Sequence, residues 1–320
     1  MTASQAVAKR RLRSSWKPEN HSLPASQKVA RRGRKFNWRP YVYVLPALIL
    51  LAGVYLIPLL DAVRYSFTNA RLVTGRGAWV GLDNYLALFD AEFGIVLLRT
   101  GAWLVLSVAG SLFVGVVMAL ILDRPIPGRA FYRVIFTLPW IFPDAIAATM
   151  WKFALHPGWG LVNSMLIKSG MTEAPINFFS TDNAFWSVVA VRIWKGAPFI
   201  FLAVLAGLQA IPRDMDEAAY VDGATPWQRL IHVKLPMLKP VLWASGTILA
   251  AWTLVIFDLV FVLTGGGPMG STEILSMTIY DAGFSDGRIG LASALSIVAI
   301  GLVAIFSYFY VRREIRAGVV

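Results

Sequence analysis

The chain has 320 residues, 57% hydrophobic and only 15% charged, with a formal net charge of +12. Soluble domains carry about a quarter charged residues, so lipid rather than water is the expected main solvent. Cysteine is absent, the histidines (His21, His156, His232) share no ligand spacing, and HExxH, GxSxG and P-loop patterns are missing, which leaves no disulfide framework, metal site or catalytic motif to build on.

Most of the charge sits at the start. Residues 1–39 hold eleven Lys or Arg against one acid, Glu19. Rich in Ser, Gln and Pro and poor in apolar residues, this tail is expected to be disordered. Nucleic-acid binding is one reading of such a run. A tail held on the cytoplasmic side by its charge, touching anionic lipid, is the reading preferred here, with no nucleic-acid partner.

A helix needs about 20 largely apolar residues to cross a bilayer, and six stretches qualify: 41–60, 102–122, about 134–153, about 184–211, 241–263 and 290–311. The third contains Pro139, Pro143 and Asp144; the fourth contains Arg192, Lys195 and Pro198; the fifth contains Asp258. The expected fold is an all-α integral membrane protein with six transmembrane helices. Its domains are the 1–39 tail, a 40–312 membrane domain and a short 313–320 terminus. With the N-terminus inside, the cytoplasmic segments hold 21 basic residues and the external ones six (Arg64, Arg71, Arg76, Lys152, Lys168, Arg288). That bias predicts both termini in the cytoplasm.

The same bias makes 213–240, between spans four and five, a cytoplasmic loop, and its residues predict a folded one. Asp214 suits an N-cap, with Glu217 reaching back as in a capping box. A short helix over about 215–221 then stops at Gly223. Thr225-Pro226-Trp227-Gln228 restarts a helix, and Leu235-Pro236 and Pro240 are expected to end it and turn the chain to the membrane. Two capped helices around a glycine elbow predict a rigid knob, whereas a plain connector needs neither caps nor elbow.

Glu217-Ala218-Ala219, then Gly223, then Val233-Lys234-Leu235-Pro236 resembles the EAA loop of binding-protein-dependent ABC importer permeases, with Val233 where Ile is often found. "FDLVFVLTGGGPMGST" (257–272) is similar to the carbohydrate-type branch, in particular to the first permease of maltose and glycerol-3-phosphate importers. "VGLDNYLALF" (80–89), "GRAFYRVIFTLPW" (128–140) and "WKGAPF" (194–199) resemble that branch as well. Arg99 departs from it, standing where the family has an uncharged polar residue beside Thr100.

The resemblance implies a permease subunit in a bacterial or archaeal plasma membrane. Its partners would be a second permease, two cytoplasmic ATPase subunits and an extracytoplasmic solute-binding protein. ATP and Mg would be bound by the ATPase subunits, with no cofactor and no catalytic site in this chain. The ATPase-docking residues it implies are Glu217, Ala218, Ala219, Asp222, Gly223, Leu235 and Pro236. The solute would be a sugar, an oligosaccharide or a relative such as glycerol 3-phosphate.

Charges inside spans are functional hypotheses, and Asp144, Arg192, Lys195 and Asp258 qualify. Mutual pairing, snorkelling and solute contact all remain open for them. Sugars stack their C–H faces on aromatic rings, so Trp194 and Phe257, with Thr264, join Asp144, Lys195 and Asp258 as pathway candidates. Trp140, Trp151, Trp243 and Tyr308 are expected to form an interfacial belt, and the glycines 265–267 a tight external turn. Two alternatives stand beside the sugar reading: an importer of a polyamine or amino acid, and an ion-driven secondary transporter. The latter is disfavoured because no repeat of two related halves with broken helices shows in the sequence, and the EAA stretch would then have no purpose.

Overall fold

The computed structural model describes residues 39–316, and among them every regular element is helical apart from one isolated bridge between Thr68 and Trp79. The basic tail, except Arg39, lies outside the described residues, as do 317–320 of the expected C-terminal segment.

The chain divides after Gly53 into two units. The first holds α1 (Arg39–Leu51), which carries Pro46 inside it and is exposed from Val42 onward. Apolar side chains without protein around them are what a lipid-facing helix requires. A π turn, Ala52–Leu56, leads on to α2 (Ile57–Ser66).

Four helices are long and apolar enough to cross a membrane: Val42–Ser66, Ala91–Asp123, Ala184–Ala210 and Pro226–Val255. A fifth candidate is a bent pair, α4 (Arg129–Ile141) and α5 (Asp144–Ala154), which meet at 104°. The expected sixth span, 290–311, falls within a helix at Ile289–Arg316.

The second unit is organised around α3 (Ala91–Asp123) and, after α6 (Leu161–Lys168), α7 (Ala184–Ala210). Buried Ser107, Ser111, Gly115 and Ala119 recur every fourth residue of α3 and form one stripe. In lipid no hydrophobic drive pulls helices together, so close packing along small residues takes its place. A Cβ at Gly115 would lie 2.7 Å from the Ile200 Cβ and 2.8 Å from the Ala197 carbonyl oxygen. One at Gly196, on α7, would lie 2.8 Å from the Ser111 hydroxyl. The stripe therefore sets the spacing of the two helices.

Past α7 come α8 (Arg213–Val221) and α9 (Pro226–Arg229), then a π turn, Leu230–Lys234, and α10 (Leu235–Val255). α11 (Asp258–Leu263), α12 (Leu275–Tyr280), a third π turn and α13 (Ile289–Arg316) complete the chain. Two apolar clusters flank the α3–α7 seam. One joins Ala119, Leu122, Ile200 and Phe201 to Leu238 and Leu249 of α10. The other joins Trp103, Val188 and Val191 to Leu259 and Leu263 of α11 and Met277 of α12.

Three expectations need correction. The third span is two helices, because Pro143 holds Phe142 in an extended conformation (φ −69°, ψ 140°) and ends α4 there; Pro139 sits inside α4 without ending it. The fifth span also breaks, at Ile256-Phe257, where Ile256 is extended (φ −68°, ψ 129°) although no Pro or Gly marks the place. Leu235-Pro236 does not close the knob. The Leu235 amide donates to the Leu230 carbonyl, five residues back. This widened turn admits Pro236 near the start of α10 and lets the helix run on.

The α3–α7 seam makes a testable contrast within one helix. Gly115→Ala is expected to destabilise the protein by about 1–3 kcal/mol through overpacking. Gly101→Ala, whose Cβ would meet nothing within 4 Å, is expected to be neutral or to stabilise by about 0.5–1 kcal/mol. Thermal unfolding of the two variants in detergent checks the difference.

Candidate functional site

Each helix break exposes backbone groups that lipid cannot satisfy, and side chains from the neighbouring helices satisfy them here. At the first break the Lys195 ammonium donates to the Phe142 carbonyl at 2.5 Å and to the Trp140 carbonyl at 3.4 Å. It also lies 3.4 Å from Asp144 Oδ1, an ion pair without hydrogen-bond alignment. A cation thus closes the carbonyl end of α4 while a carboxylate occupies the first position of α5, both matching the helix dipoles. At the second break the Arg192 guanidinium donates to Thr253 Oγ1 through Nε at 3.2 Å and Nη2 at 2.9 Å. Trp103 Nε1 donates to the Thr253 carbonyl at 3.2 Å, and the Ser276 hydroxyl to the Ile256 carbonyl at 2.8 Å. Arg192 and Lys195 are three residues apart on α7, so one helix face serves both elbows.

Between the elbows lies a cavity of about 320 Å³, lined by Asp144, Arg192, Lys195 and Asp258 together with Trp140, Phe199, Trp252 and Phe257 among others. Its aromatic wall is continuous: the Trp140 ring lies 6.1 Å from Phe199, and Phe199 lies 4.9 Å from Trp252. Of the pathway candidates read from sequence, Asp144, Lys195, Phe257 and Asp258 line this cavity. Trp194 and Thr264 do not line it. Trp194 packs edge-on against Trp151 at 5.4 Å. Thr264 shares a 2.7 Å hydrogen bond with Thr272 and steadies the glycine turn, in which Gly265 and Gly266 take φ of 61° and 84°. Trp140, expected in an interfacial belt, lines the cavity. Phe199 and Trp252 were missed, since nothing in sequence separates them from lipid-facing aromatics. Of the two breaks, the sequence marks only the one at Pro143.

Arg99 donates to the Glu273 carbonyl at 3.5 Å, and the neighbouring Thr100 hydroxyl accepts from the Leu275 amide at 2.9 Å. Both residues hold the segment that follows the glycine turn.

The 213–240 segment folds as two short helices. α8 starts one residue ahead of Asp214, with Pro212 at the N-cap, so the expected capping box from Asp214 is not formed. α8 ends in a Schellman closure: the Gly223 amide donates to the Tyr220 carbonyl at 3.0 Å and the Ala224 amide to the Ala219 carbonyl at 3.0 Å. Gly223 takes φ +82°, the left-handed value this closure needs. The capping box on α9 is formed, Thr225 and Gln228 each bonding the other's backbone amide.

Asp216, not singled out from sequence, ties the helices together through Arg229 at 3.1 Å and Lys234 at 3.7 Å. Arg229 also lies 5.4 Å from the Tyr220 ring centre. The knob's outward surface carries Glu217, Ala218, Asp222 and Gly223, all exposed, with Ala219 half-buried. Pro236 is exposed too and Leu235 half-buried. Glu217 has no hydrogen bond or ion pair among the described residues.

An all-helical membrane domain with broken helices beside a cavity and an exposed folded knob is the architecture of a transport permease. Residues 111–317 match the family described as binding-protein-dependent transport system inner membrane component. The chain is 38% identical, over 73% of its length and 79% of the relative's, to the trehalose/maltose transport system permease protein MalF of Thermococcus litoralis. It is 35% identical to the sulfoquinovosyl glycerol transport system permease protein SmoG of Agrobacterium fabrum, over 83% and 87% of the two chains. The fold matches a chain in a crystal structure of a bacterial alginate ABC transporter in complex with its alginate pentasaccharide-bound periplasmic protein. That match has a TM-score of 0.74 at 23% identity and covers 88% of this chain and 95% of that one. The chain belongs to the binding-protein-dependent transport system inner membrane component family.

The staple at the first elbow can be tested by a double-mutant cycle. Lys195→Met is expected to destabilise the protein by about 2–3 kcal/mol, since it strands two carbonyls and a carboxylate. Asp144→Asn in the same chain is expected to recover part of that loss. Strict additivity of the two substitutions in thermal unfolding would show that the pair is not coupled.

Proposed function

We propose that this chain is the membrane-spanning permease subunit of an ATP-driven importer for a sugar or a closely related polar solute. A second permease completes the pathway, two ATPase subunits dock on the cytoplasmic side, and a solute-binding protein delivers from outside. Permease names among the relatives, the alginate transporter fold and the aromatic cavity wall support this reading. In it ATP and Mg belong to the ATPase subunits and this chain carries no cofactor. The excess of Lys and Arg in the segments assigned inside supports cytoplasmic termini.

The observation that carries the coupling proposal is continuity. Pro226–Val255 is a helical run of 30 residues with the knob at its start and the cavity-lining Val255 at its end. A helix of that length spans about 45 Å. Movement imposed on the knob by the ATPase subunits is transmitted along one element to the second elbow. Glu217, Ala218, Ala219, Asp222 and Gly223 are the proposed docking surface. Leu235 and Pro236 act as the joint between knob and span. In the pathway, Phe257 and Asp258 are proposed to face the solute, while Lys195 and Asp144 keep the first elbow in shape.

Two substitutions test the docking surface. Gly223→Val costs about 1–2 kcal/mol through its left-handed backbone, with open space around the new side chain, and Glu217→Lys reverses the unpaired charge. Each is expected to lower solute uptake at least tenfold and to weaken co-purification of the ATPase subunits. Wild-type uptake and co-purification in both variants would exclude this surface as the docking site.

A further inference from the structure

We infer that Asp258 is a specificity-determining residue that makes the cavity select neutral, hydroxyl-rich solutes and reject anionic ones. The inference rests on the proposal that this cavity is part of the solute pathway. Four charged groups line it, and they are not equivalent. Arg192 and Lys195 are each only 6% exposed; Arg192 donates through Nε and Nη2 to the Thr253 hydroxyl, and Lys195 to the carbonyls of Trp140 and Phe142. Asp144 is the ion-pair partner of Lys195. Asp258, in contrast, is exposed and has no hydrogen bond or ion pair among the described residues.

Of the four lining charges, the one whose side chain bonds nothing in the protein is therefore a carboxylate. An ionised carboxylate only accepts hydrogen bonds. Sugar hydroxyls can donate to it, while a phosphate, sulfonate or uronate brings a like charge beside it. The aromatic wall of Trp140, Phe199 and Trp252 offers faces for the C–H surface of a pyranose ring and no charge of its own. Among the relatives, MalF carries trehalose and maltose in its name, SmoG carries sulfoquinovosyl glycerol, an anionic sulfonate, and the alginate transporter is described as importing an acidic polysaccharide. The free Asp258 places this chain with the neutral kind.

The experiment uses the complete complex of this chain, its second permease and its ATPase subunits, without the binding protein. Tryptophan fluorescence is titrated with maltose and with a disaccharide of equal size in which one glucose is replaced by glucuronate. Trp252→Phe identifies the part of the signal that comes from the cavity. Wild type is expected to bind the neutral sugar at least roughly tenfold more tightly, and Asp258→Asn to close that gap, chiefly by gaining affinity for the acid. Asp258→Glu, which keeps the charge, is expected to preserve discrimination. Equal binding of the two sugars by wild type, or an unchanged gap in Asp258→Asn, overturns charge selection and leaves the pathway proposal standing. If neither sugar changes the cavity signal of wild type, the cavity is not the solute site, and both readings fall together.

Discussion

The need to satisfy broken backbone in a medium without water is the constraint on which the rest of this membrane domain depends. A helix that stops inside a bilayer leaves carbonyls bare, each at a cost of several kcal/mol. Two helices here stop beside the cavity, α4 at Ile141 and α10 at Val255. The first stop is met by the Lys195 ammonium, and the second by Trp103, Ser276 and the Arg192–Thr253 contact. The charges that looked like pathway residues thus have a prior duty to the fold. Once they are committed, the cavity between the elbows has a defined shape and one uncommitted carboxylate.

That arrangement holds only if α7 stands at a fixed distance from its neighbours, because a lysine reaching a carbonyl tolerates little drift. The small-residue stripe on α3 supplies the distance. Gly115 leaves no room for a Cβ, so α3 and α7 meet at backbone contact. Lys195 and Arg192 project from a post that is seated along its length, and the elbows are held relative to that post. The packing seam and the polar site are in this sense one device.

The knob follows a different logic, for it is largely exposed and is shaped locally. Its glycine closure, its capping box and the Asp216 ion pairs use short-range interactions that need no help from the membrane helices. What links it to the cavity is the π turn ahead of Pro236, which converts an expected terminus into a joint. A proline there reads as a stop, yet one widened turn makes the ring fit.

Much of the outline was legible in the sequence. Composition and the length of apolar runs identify a membrane protein because bilayer thickness is a fixed yardstick. The glycine elbow and the Thr225 cap were readable because local hydrogen bonds follow residue type at short spacing. The break at Pro143 was foreshadowed by its proline. The break at Ile256-Phe257 was not, since nothing local forces it: its carbonyls are satisfied by Trp103 and Ser276 and the Thr253 hydroxyl is held by Arg192, all 20 or more residues away in the chain. Likewise, only the tertiary structure decided that Trp140 faces a cavity while Trp194 packs against Trp151, and that Lys195 is spent while Asp258 is free. Residue type says which groups want partners. Which of them find one depends on contacts between distant segments.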